Sequence, residues 1–388
     1  SLLAKLTTEV FGPSELSLRL PSLVGGTFYL ASVFGLCRLV HGEGFLFILT
    51  VAALALNPFI LDFLSAARGY GLALAFFSIA LFELGRYLLD GAGKPHRSWL
   101  RASLALALSV SSTLAFLFPA ASLALVFLGM VALADPGPSI PEDHPLGAPR
   151  RAHLVALWFC LPGLLTSLVI LAVPLRGAGV TDFFFGANRL DETIRSLVEA
   201  SLHHHPTRWP IDTEGRLFVS VVGLIARYLV PATMAAVLAL VSWLALRALH
   251  ARSTAVLGRT DRFLLLVGGT LLLTVPFLVA ARALSGLPYP LERTGLYFIF
   301  LFILATAVLV RKLQELPGSS RLLALPGLAA LLLLVGQFAA QFNLTHYRTW
   351  RYDAGTRAIF EIITRWPLPE DGRLVRVAAS RWRYVPSL

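Results

Sequence analysis

Long apolar runs separated by short polar turns make up most of the chain. A helix needs about 20 apolar residues to cross a bilayer, and runs of that order recur along nearly the whole sequence. About ten membrane spans are predicted from these runs: 20–40, 45–64, 69–89, 102–134 (divided into two short spans), 154–174, 217–249, 263–283, 295–310 and 322–342. The pattern predicts an all-α polytopic membrane protein.

Three of these runs contain predicted irregularities. Proline removes a helix hydrogen bond, so the run 102–134 is predicted to break at Phe118-Pro119, and Asn57-Pro58 is predicted to bend the span 45–64. The first half of 217–249, through Arg227, is predicted to lie along the surface before the span begins.

Composition supports the membrane prediction and narrows the function classes. The chain is 56% hydrophobic and 14% charged, with a mean hydropathy of +0.73, whereas soluble domains carry about 25% charged residues. A formal net charge of +11 fits basic loops that anchor one membrane face, and no nucleic-acid partner is predicted. Cys37 and Cys160 stand apart in the sequence, which predicts neither a disulfide framework nor a cysteine metal site.

The chain is predicted to have two domains. Residues 1–342 form the multi-spanning domain, and residues 343–388 form the start of a small extracytoplasmic α/β domain, with a helix over 353–364 and a strand over 373–379. The first residues, Ser1 to Phe11, have the pattern of a helix already under way. We therefore expect a further segment ahead of Ser1.

Basic residues in the short loops predict the orientation. Lys and Arg cluster in alternate loops, and such loops face the cytoplasm in inner membrane proteins. The turn after the second predicted span, the loop 175–216, the turn 284–293 and the C-terminal tail then face away from the cytoplasm.

The turn in Asn57 to Tyr70 holds the first candidate functional residues. A charge between two spans is costly and needs a reason, and this turn carries Asp62, Arg68 and Tyr70. Arg68 has a donor fork that suits phosphate oxygens, and Tyr70 adds a donor and an apolar ring. Spacing alone slightly favours the structural alternative, in which Arg68 reaches lipid headgroups and Tyr70 belongs to an aromatic belt. Asp62 has three candidate roles: pairing with Arg68, capping a helix, or binding a cation.

Two further candidates lie in the other outer loops. Arg293 precedes an apolar span, where it would contact an anionic group or be neutralised by Glu292. His204 is the middle of three consecutive histidines, which point in different directions and rarely form one metal site; it is a solvated residue or a substrate contact. The amphipathic segment 190–202 is predicted to lie on the outer membrane surface, with 183–185 inserted beside it.

Three segments together resemble a known enzyme family. PSELSLRLPSLVGG (13–26), NPFILDFLSAARGYGLALAF (57–76) and PLERTGLYF (290–298) resemble the GT-C membrane glycosyltransferases, and most closely the bacterial protein mannosyltransferase and lipid A aminoarabinose transferase group, similar to glycosyltransferase family 39. The resemblance covers most of the chain, and the first two segments are its more specific part.

The resemblance implies a function and the membrane face on which it takes place. Such enzymes transfer a sugar from a polyprenyl-phosphate donor to a lipid, glycan or protein acceptor on the extracytoplasmic face of the inner membrane. Arg68 and Tyr70 would then lie near the donor phosphate, and Arg293 would be a second phosphate contact. The family's catalytic carboxylate belongs to a loop that would precede Ser1, so we expect these 388 residues alone to be inactive. The resemblance assigns no definite cofactor, and a requirement for a divalent cation is an open alternative.

Three other hypotheses remain at this point. A secondary transporter would show inverted repeats and charges at the bilayer midplane, whereas the charges here lie mostly at span ends. An O-antigen ligase or polymerase would also use a lipid-linked donor. A catalytically inactive relative is the third alternative.

Overall fold

The computed structural model describes residues 2–90, 95–133, 154–176, 185–202, 224 and 228–342. The chain divides into two compact units, Ser1–Ala340 and Gln341–Leu388. Almost all of the second unit lies outside the described residues, and so do the helix and the strand predicted for the tail. Most of 217–227, which is predicted to lie along the surface, is also outside them.

Most of the described part is helical, and it contains one isolated antiparallel bridge between Ala187 and Tyr289. Short 3-10 segments cover Leu114–Phe116, Glu292–Gly295 and Gly318–Ala324, and a π-helical turn covers Ala156–Cys160. The α-helices follow in chain order: α1 Leu2–Phe11, α2 Glu15–His41, α3 Phe45–Ala55, α4 Pro58–Ser65, α5 Gly69–Asp90, α6 Pro95–Ser112, α7 Leu117–Ala132, α8 Leu161–Arg176, α9 Leu190–Ser201, α10 Val230–His250, α11 Arg259–Ser285, α12 Leu296–Gln314 and α13 Leu325–Gln341.

Seven helical segments within the described part are long and apolar enough to cross a membrane, and the bent pair α3–α4 makes up to eight. The all-α polytopic membrane class predicted from the sequence is therefore confirmed. Helix α6 and the shorter apolar stretch Leu157–Ala172 are not among these segments, and the larger number of spans stays a prediction.

The bend predicted at Asn57-Pro58 is present. Helices α3 and α4 meet at 54°, and the Asn57 side chain caps α4 by accepting hydrogen bonds from the Phe59 and Ile60 amides at 3.1 and 3.2 Å. Proline is favoured in the first helical turn because its missing N–H has no partner there. Asn57 and Pro58 therefore end one helix and begin the next.

The break predicted at Phe118-Pro119 is wrong in position. Helix α6 ends at Ser112, and α7 begins at Leu117, so that Pro119 lies in the first turn of α7. Proline is tolerated there for the same reason as at Pro58. The run 102–134 does divide into two helices, but ahead of the proline.

Successive long helices run in opposite directions, which gives the bundle two chemically different ends. At one end, here called the turn end, the start of α5 approaches Ser112 and Ala187 pairs with Tyr289. At the other, here called the basic end, the start of α11 approaches the end of α5 through Arg259 and Asp90, 2.7 Å apart. Each described carboxylate at the basic end forms an ion pair with a basic side chain. The pairs are Arg38–Glu43, Arg86–Glu83, Arg101–Glu83, Arg259–Asp90, Lys312–Asp261 and Arg311–Glu315.

Aromatic rings link the helices at the centre of the bundle. Phe300 of α12 contacts Tyr29 of α2 and Phe77 of α5 edge to face, with ring centroids 6.0 and 6.3 Å apart. Phe116 continues the series by contacting Phe77 and Tyr297. The segment that contains α12 is 72% buried, whereas the segment that contains α13 is only 11% buried. The core therefore lies around α12, and α13 is at the periphery.

Candidate functional site

The turn that carries Arg68 is short and tightly held. The Arg68 amide donates to the Ala66 carbonyl at 2.7 Å, and the Ser22 hydroxyl of α2 donates to the Arg68 carbonyl at 3.3 Å. Arg68 itself is exposed. The backbone of the turn is therefore fixed by two helices, while the guanidinium reaches the surface at the turn end.

Two glycines make this turn possible. A Cβ atom on Gly69 would lie 2.1 Å from the Ser112 carbonyl oxygen, and one on Gly71 would lie 2.3 Å from the Phe63 carbonyl oxygen. Both neighbours are backbone atoms, which cannot rotate away. The first turn of α5 thus packs against α4 and α6 at distances that only glycine permits.

The other two candidates of this turn face the protein more than Arg68 does. Tyr70 is half-buried, and its ring contacts Phe63 edge to face at 5.5 Å between centroids. Asp62 is 8% exposed, and its carbonyl oxygen accepts from the Ala66 amide at 3.0 Å. Tyr70 therefore packs on α4, which differs from a residue of an aromatic belt that faces lipid.

Arg293 occupies the 3-10 segment Glu292–Gly295 at the turn end. Its guanidinium carbon lies 4.0 Å from the centroid of the Phe185 ring, a cation–π contact. The Glu292 amide donates to Ser196 at 3.3 Å, and Glu292 has a φ of 46°. No ion pair joins Arg293 to Glu292, so the geometry gives no support to mutual neutralisation of these described residues.

Helix α9 connects the two turns. It packs against α4, against Glu292–Gly295 and against α12. Thr193 and Leu197 are buried in this contact, whereas the sequence pattern alone predicted that the apolar side of the helix faces the membrane. At its start, the hydrogen bond from the Arg189 guanidinium (2.9 Å) lowers the pKa of Asp191. The exposed side of α9 is therefore charged, and its apolar side packs against the rest of the helix bundle.

An apolar cavity of about 160 Å³ lies beneath α9. Its walls come from α9, α10, α11, α12 and α13, and Asn57 contributes from the start of α4. Engineered apolar cavities of about 150 Å³ hold a benzene-sized group. This cavity therefore has room for a short apolar segment of a larger molecule.

Two buried polar atoms stand out at the cavity wall. Asn57 is 2% exposed and Thr193 is 1% exposed, and neither Asn57 Nδ2 nor Thr193 Oγ1 has a hydrogen-bond partner among the described residues. An unsatisfied buried donor costs about 1–3 kcal/mol. Both residues line the same cavity, but these two atoms have almost no accessible surface, so the wall that they help to form is apolar.

The structure adds little about the two remaining hypotheses, a substrate contact by His204 and a cation site at Asp62. His204 lies outside the described residues, and so do Phe183 and Phe184. Within the described ranges, no three His, Cys, Asp or Glu side chains are grouped as metal ligands. Asp62 therefore has no set of neighbouring described ligands with which to hold a cation.

Several of these features have no signal in the sequence. The cavity, Asn57 as a wall residue, Thr193 and the stacking of Phe185 under Arg293 all depend on packing between distant segments. No protein-family model matches the chain, and no curated protein or solved structure shows significant similarity to it.

Proposed function

We propose that this chain is the membrane domain of a glycosyltransferase that takes a sugar from a polyprenyl-phosphate donor. The observation that carries the proposal is the combination, at one end of the bundle, of two arginine turns and an apolar cavity. A lipid-linked sugar has the complementary parts: a phosphate for arginine and an isoprenoid chain for the cavity.

The contacts around α9 support one site rather than two. Helix α9 packs against the Arg293 segment and α4, and on the same buried side its Thr193 and Leu197 line the cavity. A donor lying along α9 would place its chain in the cavity and its phosphate toward the turns.

The chemistry assigned to the arginines is stabilisation of the leaving phosphate. The acceptor oxygen or nitrogen attacks the anomeric carbon, the bond from that carbon to the phosphate oxygen breaks, and the phosphate leaves with the electron pair. Arg68 and Arg293 offset the charge that develops on it. The acceptor's proton goes to a carboxylate base, as the resemblance implies.

The charge distribution supports an extracytoplasmic site. Basic loops and helix ends remain on the cytoplasmic side in bacterial inner membranes, and the described residues between and beside the helices of the basic end include Arg252, Arg259 and Arg321. The turn end, with Arg68 and Arg293, would then face outward. This is also the side on which the resembling family transfers its sugars.

The test measures donor binding and transfer separately. Transfer is measured from a radiolabelled polyprenyl-phosphate sugar, and donor binding is measured with a photoactivatable polyprenyl phosphate, both with the full-length protein. Arg68→Ala and Arg293→Ala should each weaken donor binding by roughly 10–100-fold, because a charged hydrogen bond contributes about 1.5–3 kcal/mol. Arg189→Gln is the control, since Arg189 is 74% exposed at the same end and pairs with Asp191.

The outcomes discriminate between the hypotheses. Donor binding without transfer would indicate a catalytically inactive relative. Unchanged binding in both arginine variants would refute the assigned site. Substrate uptake into vesicles without sugar transfer would replace the proposal by the transporter hypothesis.

A further inference from the structure

The basic end contains a groove whose charges are not neutralised by the described part of the protein. It occupies about 600 Å³ beside the last turns of α10 and is lined by Trp243, Leu246, Arg247, His250, Ala251 and Val256. We call it the α10 groove. The described carboxylates at this end pair with other cations, and none lies within 4.0 Å of Arg247 or His250. Among the described residues, no carboxylate therefore neutralises the Arg247 guanidinium.

Its side chains are arranged as a polar region above an apolar one. The Arg247 guanidinium carbon lies 5.4 Å from the centroid of the Trp243 ring, four residues earlier on the same helix face, and His250 follows three residues later. Trp243 and Leu246 are 51% and 66% exposed. Tryptophan is enriched at the membrane interface, so this part of α10 has the composition of a boundary between acyl chains and headgroups.

The far wall of the groove is fixed by backbone hydrogen bonds. The Ser253 amide donates to the Ala248 carbonyl at 3.0 Å, and the Thr254 amide donates to the Leu133 carbonyl at the end of α7 at 2.8 Å. Leu257 closes the loop with only 2% of its surface exposed. The groove therefore exists before any ligand arrives, which lowers the entropy cost of binding.

We propose that the α10 groove binds the phosphodiester headgroup of an anionic phospholipid in the membrane leaflet at the basic end. Arg247 donates to the phosphate oxygens through its planar fork, and His250 donates from the next turn. The acyl chains lie along Trp243, Leu246 and the exposed Leu249. Basic pockets at the membrane boundary are typical sites for such headgroups. This site is independent of the proposed sugar transfer.

The first experiment titrates delipidated protein with phosphatidylglycerol, phosphatidylcholine and inorganic phosphate, with binding measured by native mass spectrometry. Phosphatidylglycerol should bind more tightly than phosphatidylcholine. Arg247→Gln should weaken it by about fivefold or more, the effect of one basic residue near an anionic lipid, and Arg247→Gln/His250→Gln should weaken it further. Arg38→Gln should leave it unchanged, because Arg38 is 63% exposed at the same end and lies near Glu43.

A second measurement needs no charge substitution. Phosphatidylglycerol with brominated acyl chains should quench tryptophan fluorescence of the unmodified protein, and Trp243→Phe should remove the part specific to this lipid. Equal affinity for phosphatidylcholine, unchanged binding in the double variant, or quenching insensitive to Trp243→Phe would each overturn the proposal. Competition by inorganic phosphate at equal affinity would also overturn it, by assigning the groove to a free anion.

Discussion

Replacing Gly69 by alanine introduces one methyl group at the closest contact between α5 and α6. The added Cβ atom would lie 2.1 Å from the Ser112 carbonyl oxygen, whereas ordinary contacts of this kind begin at 3.4 Å. The two helices must therefore separate locally by roughly 1 Å, and overpacking of this kind costs about 1–3 kcal/mol. The same movement displaces the Arg68 turn, because Gly69 follows Arg68 directly.

The free energy change can be followed through the protein's own cysteines. Cys37 is fully buried and Cys160 is exposed, so in a Cys160→Ser background a fluorogenic thiol dye reports the unfolding of the bundle at Cys37. We expect Gly69→Ala to lower the midpoint temperature of thermal unfolding by about 2–6 °C. This range follows from the usual shift in midpoint temperature per kcal/mol of destabilisation in larger domains.

Gly129→Ala is the matched control for this experiment. Gly129 lies in α7 and is exposed, and a Cβ atom added there would meet no other atom within 4 Å. Alanine is preferred over glycine inside a helix by up to about 1 kcal/mol, so the midpoint should stay or rise. A Gly69→Ala midpoint equal to that of Gly129→Ala would refute the close packing of α5 on α6.

Three further predictions use the same dye assay. Glu83→Leu should destabilise the protein by about 1–2 kcal/mol, less than a fully buried pair, because its partners Arg86 and Arg101 are 34% and 59% exposed; a midpoint equal to that of unmodified protein would contradict this. Ser78→Ala removes a buried hydrogen bond to Ser32 (2.6 Å) and should cost about 1 kcal/mol, and no change would show that the hydroxyl pair does not contribute. Thr193→Val removes a buried hydroxyl without a described partner and should leave stability equal or higher, because an unsatisfied buried hydroxyl is costly; a loss of stability would show that the hydroxyl is satisfied.

Local signals in the sequence were enough for the helices but not for every boundary. The Asn57-Pro58 break was predictable, because the asparagine cap and the proline act within a few residues. Pro119 has the same chemistry, yet the break precedes it, since a proline in a first turn cannot be distinguished from an interior one until the helix start is known. The amphipathic pattern of α9 was likewise readable, but its apolar side contacts α4 and α12 instead of lipid.

The candidate site depends on contacts across long stretches of sequence. Arg68 and Arg293 stand out locally, as charges beside apolar runs. The ring under Arg293 comes from Phe185, more than 100 residues away along the chain. Thr193 and Asn57 line one cavity because α9 packs on α4. Pairings of this kind have no signature in a single sequence.

The shallow burial of α13 has a consequence for how the bundle opens. Regions with few buried contacts open at a lower free energy than the global unfolding of a domain, and the segment that contains α13 is 11% buried, against 72% for the segment that contains α12. Because Ala330 and Leu333 of α13 form part of the cavity wall, the candidate span least buried by protein is also one whose movement would connect the cavity to the surrounding lipid.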